Sequence, residues 1–458
     1  MKRRVVLLGL VALVLGLAVA ACGGGDDEAA TEPPIGEETG APADTGAPAE
    51  TGAAAAPSED VSGDISIMGI WVGEEQASFE AVLDGFREQF PNVNVRYDPA
   101  GDELVTVLST AIEGGNPPDL AAPAQPGFIA DLAERGELVP IDFAAEVIQE
   151  NFGDNGIALG SVEDTLYSLF YKANNKSTVW YNVPVFEDAG VEPPATWQDF
   201  LAAGQTILAS GVPAYSIGGS DGWTLTDLFE NIYIRTAGPD LYDQLSRHEI
   251  PWTDQSVKDA LAVMAEIFSD TENIAGGTQG ALQTDFPTSV TQVFADPPKA
   301  AQVIEADFVA GEILASTEAA PETGFNVYDF PSIEDSPPAT IVAGNFVVLL
   351  DDNPAARALL EYLASPEAAE IWAERGGFSS PNVNVDPSVY PDPITQATAS
   401  ALAEAEVSRF DLSDLQPGEF GGTVGQGLFK LFQDFLRNPD DIDGITQQME
   451  DAAAQAYG

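Results

Sequence analysis

Aromatic planes stand beside carboxylates and amides at several turns of this chain: Trp71 with Glu74 and Glu75, Trp223 with Asp227 and Glu230, Gln125 within Pro123-Ala124-Gln125-Pro126-Gly127, and Phe378 after Gly376-Gly377. A flat ring stacks on apolar C–H faces, while fixed carboxylates and amides pair with hydroxyl groups. These residue types suit reversible capture of a polyhydroxylated solute in a cleft. Trp223 lies in the glycine-containing loop Ser220-Asp221-Gly222-Trp223 and off any helical stripe, which marks it as a stacking residue. Other readings stand beside these. Trp71 in the core would leave Glu74 and Glu75 as solvated acids at a helix start, where the helix dipole favours them. Asp227 and Glu230 can serve the next helix start in the same way, and Gln125 can belong to a plain surface turn. Trp372 continues an apolar helix face with Ile371 and is assigned to the core, so Phe378 is the ligand candidate of that pair; Trp180 and Trp197 are assigned to packing.

Catalytic and metal chemistry find little support. A glycoside hydrolase needs two carboxylates flanking a bond, but with 74 acidic residues, pairs of acids carry no information. The sequence has no serine elbow and no zinc-type histidine pair, and its single histidine, His248, lies in a polar stretch. Asp441, Asp443, Gly444 and Glu450 fit part of a calcium loop, yet its first position falls on Pro439, so Asp443 is read as a helix cap. Gly421, Gly422, Gly425 and Gly427 lack dinucleotide-binding spacing. The expectation is a binding protein without cofactor or metal.

The elements that would position these residues alternate between strand and helix. Ile65, Ile67 and Ile70 mark a strand, and Phe79, Val82, Phe86 and Phe90 recur at helical spacing until Pro91. Val93 to Tyr97 is the next strand, Leu104 to Ile112 the next helix, and Pro117-Pro118-Asp119 leads into a further short strand. Later, Phe346 to Leu350 reads as a buried strand, with Asn353-Pro354 and Ser365-Pro366 as helix starts. Such alternation predicts a largely parallel, covered sheet, and about 400 residues beyond the amino-terminal region exceed what one core usually supports. An α/β protein of two lobes follows.

The amino terminus sets the compartment. Met1-Lys2-Arg3-Arg4, an apolar run to Ala21 and then Cys22 form a secretory signal, residues 1–21. Val19-Ala20-Ala21-Cys22 resembles a bacterial lipobox, which implies lipidation of Cys22. Residues 22–63 are Gly, Ala, Pro, Thr and acid, too poor in apolar groups to fold, and would tether the body roughly 30 to 40 Å from its anchor. Cys22 is the only cysteine, so the chain has no internal disulfide and no thiol catalysis. The net charge of -57 repels phosphate backbones and excludes nucleic acid as a partner.

The lipobox and tether, Pro117-Pro118-Asp119, Lys176-Ser177-Thr178-Val179-Trp180-Tyr181-Asn182 and Pro194-Ala195-Thr196-Trp197 together resemble the family 1 extracellular solute-binding proteins of carbohydrate importers. Gly222-Trp223 with Thr226-Asp227 and Glu230, Arg235-Thr236-Ala237-Gly238-Pro239, Phe294-Ala295-Asp296-Pro297-Pro298, Ser380-Pro381-Asn382 and Arg409-Phe410-Asp411 resemble its alpha-glucoside branch. Leu228, Asn345, Glu305, Asp307 and Gln416 depart from that branch, which leaves the sugar open. The resemblance implies a type II-like periplasmic-binding-protein fold with a ligand cleft between lobes. It places lobe 1 at 64–180 and 330–378, and lobe 2 at 181–329 and 379–458. It also adds Lys176, Tyr181, Glu305, Asn345 and Asp411 to the candidate sugar site. Partners would be a sugar, the permease subunits of an ABC importer and the lipid anchor, on the outer face of the cytoplasmic membrane after export by the Sec or Tat route, with the chain a monomer. A lipid-anchored hydrolase and a sensory binding lipoprotein are the alternatives.

Overall fold

A computed structural model describes residues 60–404 and 407–458. The signal, Cys22 and nearly all of the tether lie outside these residues. No helix among the described residues is long and apolar enough to cross a membrane.

The first sheet is built from β1 (Gly63–Gly69), β2 (Val93–Pro99) and β3 (Leu120–Ala122), which run parallel in the order β3-β1-β2. Ile65, Ile67 and Gly69 of β1 are buried while the residues between them are not. The short β4 (Ser161–Val162) and β5 (Thr165–Leu166) form a hairpin of their own before β6 (Ser168–Asn175). The second sheet holds β7 (Thr178–Asn182), β8 (Tyr215–Ser216), β9 (Gln302–Ile304) and β10 (Phe325–Asp329), in the order β10-β7-β9-β8. The chain then returns to the first sheet through β11 (Thr340–Leu349), which runs antiparallel to β3 and β6 and parallel to β12 (Ser408–Phe410). The predicted largely parallel sheet is therefore parallel only around β1 and beside β12. β11 enters antiparallel to its neighbours β3 and β6, and it extends six residues before the expected start at Phe346.

Three connections between the sheets matter for function. Lys176-Ser177 joins β6 to β7, residues 330–339 join β10 to β11, and residues 411–417 lead from β12 to the Gly418–Gly421 helix. The lobe boundary expected at 180 thus falls inside β7, whose ladder belongs to the second sheet.

Helix starts follow local chemistry. Asn353 and Ser365 accept hydrogen bonds from the Ala356 and Ala368 amides, each with proline at the first helical position. The helix Pro354–Leu363 then buries Leu359, Leu360 and Leu363 against the first sheet. Each such side chain contributes about 1.5–3 kcal/mol of transfer free energy. The last helix is capped by Asp441, which accepts from the Gly444 amide, and not by Asp443, whose carboxylate pairs with Lys258.

Candidate functional site

A cavity of about 360 Å³ opens between the two sheets. The first turn of the helix after β1 lends it Glu74 and Glu75, the turn after β2 Asp102, the turn after β3 Gln125, and the central strands Lys172, Asn174 and Asn345. From the other side come Asp221, Trp223, Phe286, Phe308 and Phe429. Trp223, Phe286 and Phe308 form one cluster, with ring centroids 5.4 Å (Trp223–Phe286), 6.0 Å (Trp223–Phe308) and 5.1 Å (Phe286–Phe308) apart. Trp223 is the first residue of the helix Trp223–Ala237, and its predecessor Gly222 has φ 88°, a left-handed backbone that favours glycine. A Cβ on Gly222 would also lie 2.6 Å from the Cβ of Phe429.

Two lysines sit in this acidic protein's cleft. Lys172 is 1% exposed, donates to Glu75, and its Nζ lies 5.2 Å from the Phe308 ring centroid and 5.3 Å from that of Trp372. Lys176 is 8% exposed; its Nζ donates to Asp227 at 2.9 Å and Asp411 at 2.6 Å, and lies 5.5 Å from the Trp223 ring. Burial opposes the Lys176 charge, but Asp227, Asp411, Asp414 and Glu230 together hold its pKa well above the usual lysine range. Burial pushes Asp227 up to about 7 against the pull of Lys176. Burial also opposes ionisation of Asp411, yet Lys176, Ser413 and the Asp414 amide together hold its carboxyl below the usual range. Asp102 is exposed as a residue, but its carboxyl faces the cavity, where desolvation, then Asp221, push it up to about 7 against the opposing influence of the nearby Trp223 indole.

Of the residues singled out in the sequence, Glu74, Glu75, Gln125, Lys176, Trp223 and Asn345 reach the cavity wall together. The others do not. Trp71 is fully buried among Phe79, Tyr97, Tyr171 and Trp372, its indole donating to Asn345 at 3.2 Å. It continues the inward alternation of Ile65, Ile67 and Gly69, so the strand period carries past the strand's end. Phe378 is buried too, stacked on Trp372, which is in the core as expected. Tyr181 packs on Phe186 and Tyr328 within the second sheet. Asp227 and Asp411 lie behind Lys176, Glu305 is buried beside β9, and Glu230 accepts backbone hydrogen bonds from Leu412 and Ser413.

Sequence reading missed Lys172, Asn174, Asp102, Asp221, Phe286, Phe308 and Phe429. A signal existed for Lys172, which stands four residues before Lys176 in a chain with few cations. Phe286 and Phe308 look like ordinary helix-start residues, and only the tertiary fold aims them at the cavity. Two lining residues, Gln125 and Asn174, each leave a buried side-chain carbonyl oxygen without a hydrogen-bond partner.

Two mixed α/β bodies, linked by three connections around one aromatic and polar cavity, define a solute-binding protein. The chain belongs to the bacterial extracellular solute-binding protein family, whose pattern it matches over residues 71–370, and it is thus a secreted or periplasmic protein. It is 36% identical over 372 residues to the osmoprotective compounds-binding protein GgtB of Synechocystis sp., covering 80% of this chain and 87% of that one. It is 32% identical to the alpha-glucosides-binding periplasmic protein AglE of Rhizobium meliloti, covering 78% and 80%. The solved structure of the bacterial solute receptor AcbH superposes with a TM-score of 0.76 at 18% identity, covering 86% of this chain and 99% of that one, which establishes the shared fold.

Proposed function

We propose that this protein captures a neutral sugar, an alpha-glucoside or related small oligosaccharide, in the cleft and delivers it to the permease of an ATP-driven importer. The carrying observation is the pairing of the Trp223-Phe286-Phe308 ring cluster with the unpartnered oxygens of Gln125 and Asn174. The rings suit pyranose C–H faces, and buried acceptors without donors suit sugar hydroxyls, which donate. Charge supports a neutral ligand: both cleft lysines are already paired, and unpaired carboxylates would repel an anion. The name of AglE points to alpha-glucosides, and that of GgtB to osmoprotective compounds.

Lobe 1 comprises the first sheet with its helices, lobe 2 the second sheet with the carboxyl-terminal helices, and ligand closes them. Lipid on Cys22 keeps the receptor beside its permease. Thermal-shift screening against glucose, maltose, trehalose and sucrose tests the reading. A sugar at a hundredfold excess over its dissociation constant adds about 2.7 kcal/mol of stability, and no shift with any member of a wider neutral-sugar panel would refute it. Cys22→Ser should move the protein from the membrane pellet to the soluble fraction of expressing cells, and retention in the pellet would refute the anchor.

A further inference from the structure

The Trp223–Ala237 helix carries a polar stripe that the binding site does not use. Positions 223, 227 and 230 stack in one row at helical spacing and 231 and 235 in the row beside it, so the five occupy one side of the helix. Trp223 is at the cavity; the other four are buried.

Each buried member holds a connection between the two sheets. The Asn231 side-chain amide donates to the Lys176 carbonyl at 2.8 Å, and its oxygen accepts from the Ser177 hydroxyl at 2.5 Å, which fixes the first connection. That hydroxyl in turn accepts from the Ile341 amide at 2.9 Å, tying in the start of β11. Arg235 grips both ends of the second connection, donating to the carbonyls of Ala339 at 2.7 Å and Phe330 at 3.4 Å, with its guanidinium 4.7 Å from the Phe330 ring. Glu230 accepts from the amides of Leu412 at 2.8 Å and Ser413 at 3.0 Å in the third. Asp227 closes the set through Lys176, which also bonds Asp411. Packing alone would not require polar groups here, since helix faces buried in a core are ordinarily apolar.

We infer that this helix is the hinge organiser of the receptor: Glu230, Asn231 and Arg235 are positioning residues that hold the three interlobe connections in one register, so that opening is restricted and Trp223 keeps its aim into the cleft. The reading rests on the two-lobe arrangement proposed above. Hinge motion is absorbed by a few residues at element ends, and here those ends are the ones that a single helix binds. Loss of one grip frees one connection without removing any residue that lines the cavity.

The test uses the full chain with Cys22→Ser and spin labels on cysteines introduced at exposed Glu88 and Thr206, one on each body. Double electron-electron resonance without ligand reads the interlobe distance. Glu230→Gln replaces one acceptor with a donor facing a backbone amide, and Arg235→Lys keeps the charge but not the two-carbonyl grip. Each should broaden the distance distribution and add a longer component, whereas an Asp259→Asn control at the exposed face should not. A variant that melts earlier but keeps the parent distribution would make the stripe merely structural and overturn the inference. Should Glu230→Gln fail to fold, Asn231→Asp, which keeps the acceptor for Ser177 and loses the donor to the Lys176 carbonyl, carries the same prediction. Calorimetric titration with maltose separates the two claims. Absent heat counts against the alpha-glucoside reading and does not bear on the distances, while unaltered distances count against the hinge alone.

Discussion

The loop after β1 and the start of the Trp223–Ala237 helix each deliver a tryptophan followed closely by two acids, and the fold uses them in opposite ways. In the first, Trp71 is in the core and Glu74 and Glu75 line the cavity. In the second, Trp223 lines the cavity while Asp227 and Glu230 are buried beneath it. The backbone period at the tryptophan decides. Trp71 is still in strand phase, two residues before its helix begins at Gly73, so it follows Ile65 and Ile67 inward. Trp223 is already in helical phase, so the residues four and seven further on lie under it along the same face. Similar composition at two sites is therefore no guide to similar roles.

Trp71→Ala should show the largest effect, a stability loss of about 3–5 kcal/mol typical of a buried aromatic truncated to alanine. Sugar affinity of the remaining folded protein should change little, and a calorimetric titration showing lost affinity with an unchanged melting curve would abolish the contrast. Trp223→Ala should do the reverse, lowering affinity at least tenfold, or about 1.4 kcal/mol, with a small shift in melting temperature.

Proton linkage sharpens the same contrast. Asp227 is raised from 3.8 to about 7, so the folded state binds its proton more tightly than the unfolded chain and its share of stability is lost as pH rises across that window. Glu230, Glu305 and Asp414, raised by burial first, act in the same direction, while Asp411, lowered, acts oppositely below the usual carboxylate range. Melting temperature should fall between pH 4 and 7, and Asp227→Asn should flatten that slope. An unchanged slope in the variant would place the titration elsewhere. Glu74→Gln should have the smallest effect: the residue is exposed at the cavity rim, so melting should stay within the scatter and affinity within about twofold.

Much of the architecture was legible because it is local. Asn353-Pro354 and Ser365-Pro366 start helices where the caps require, and the β1, β2 and β3 strands fall where alternation and proline breaks put them. Trp223 and Gln125 do reach the cavity wall, although Trp223 opens a helix and does not sit in the loop that its glycine-containing neighbourhood suggested. The site was not legible where strand phase outlasted the strand, as at Trp71, or where a residue's partner lies far away in sequence. Glu230 looks like a helix-start acid until Leu412 and Ser413 are placed against it. Phe429 is one apolar residue of the helix Gly427–Arg437 until Gly222 lets it approach the cavity.

That approach makes the size of the cleft adjustable from behind its wall. A methyl group at position 222 would meet Phe429 at 2.6 Å, and the backbone there resists any side chain, so the ring and the helix start could not both keep their places. Glycine at 222 thus acts as a shim of zero thickness. A side chain at 222 would reshape the chamber without changing the identity of any residue that lines it.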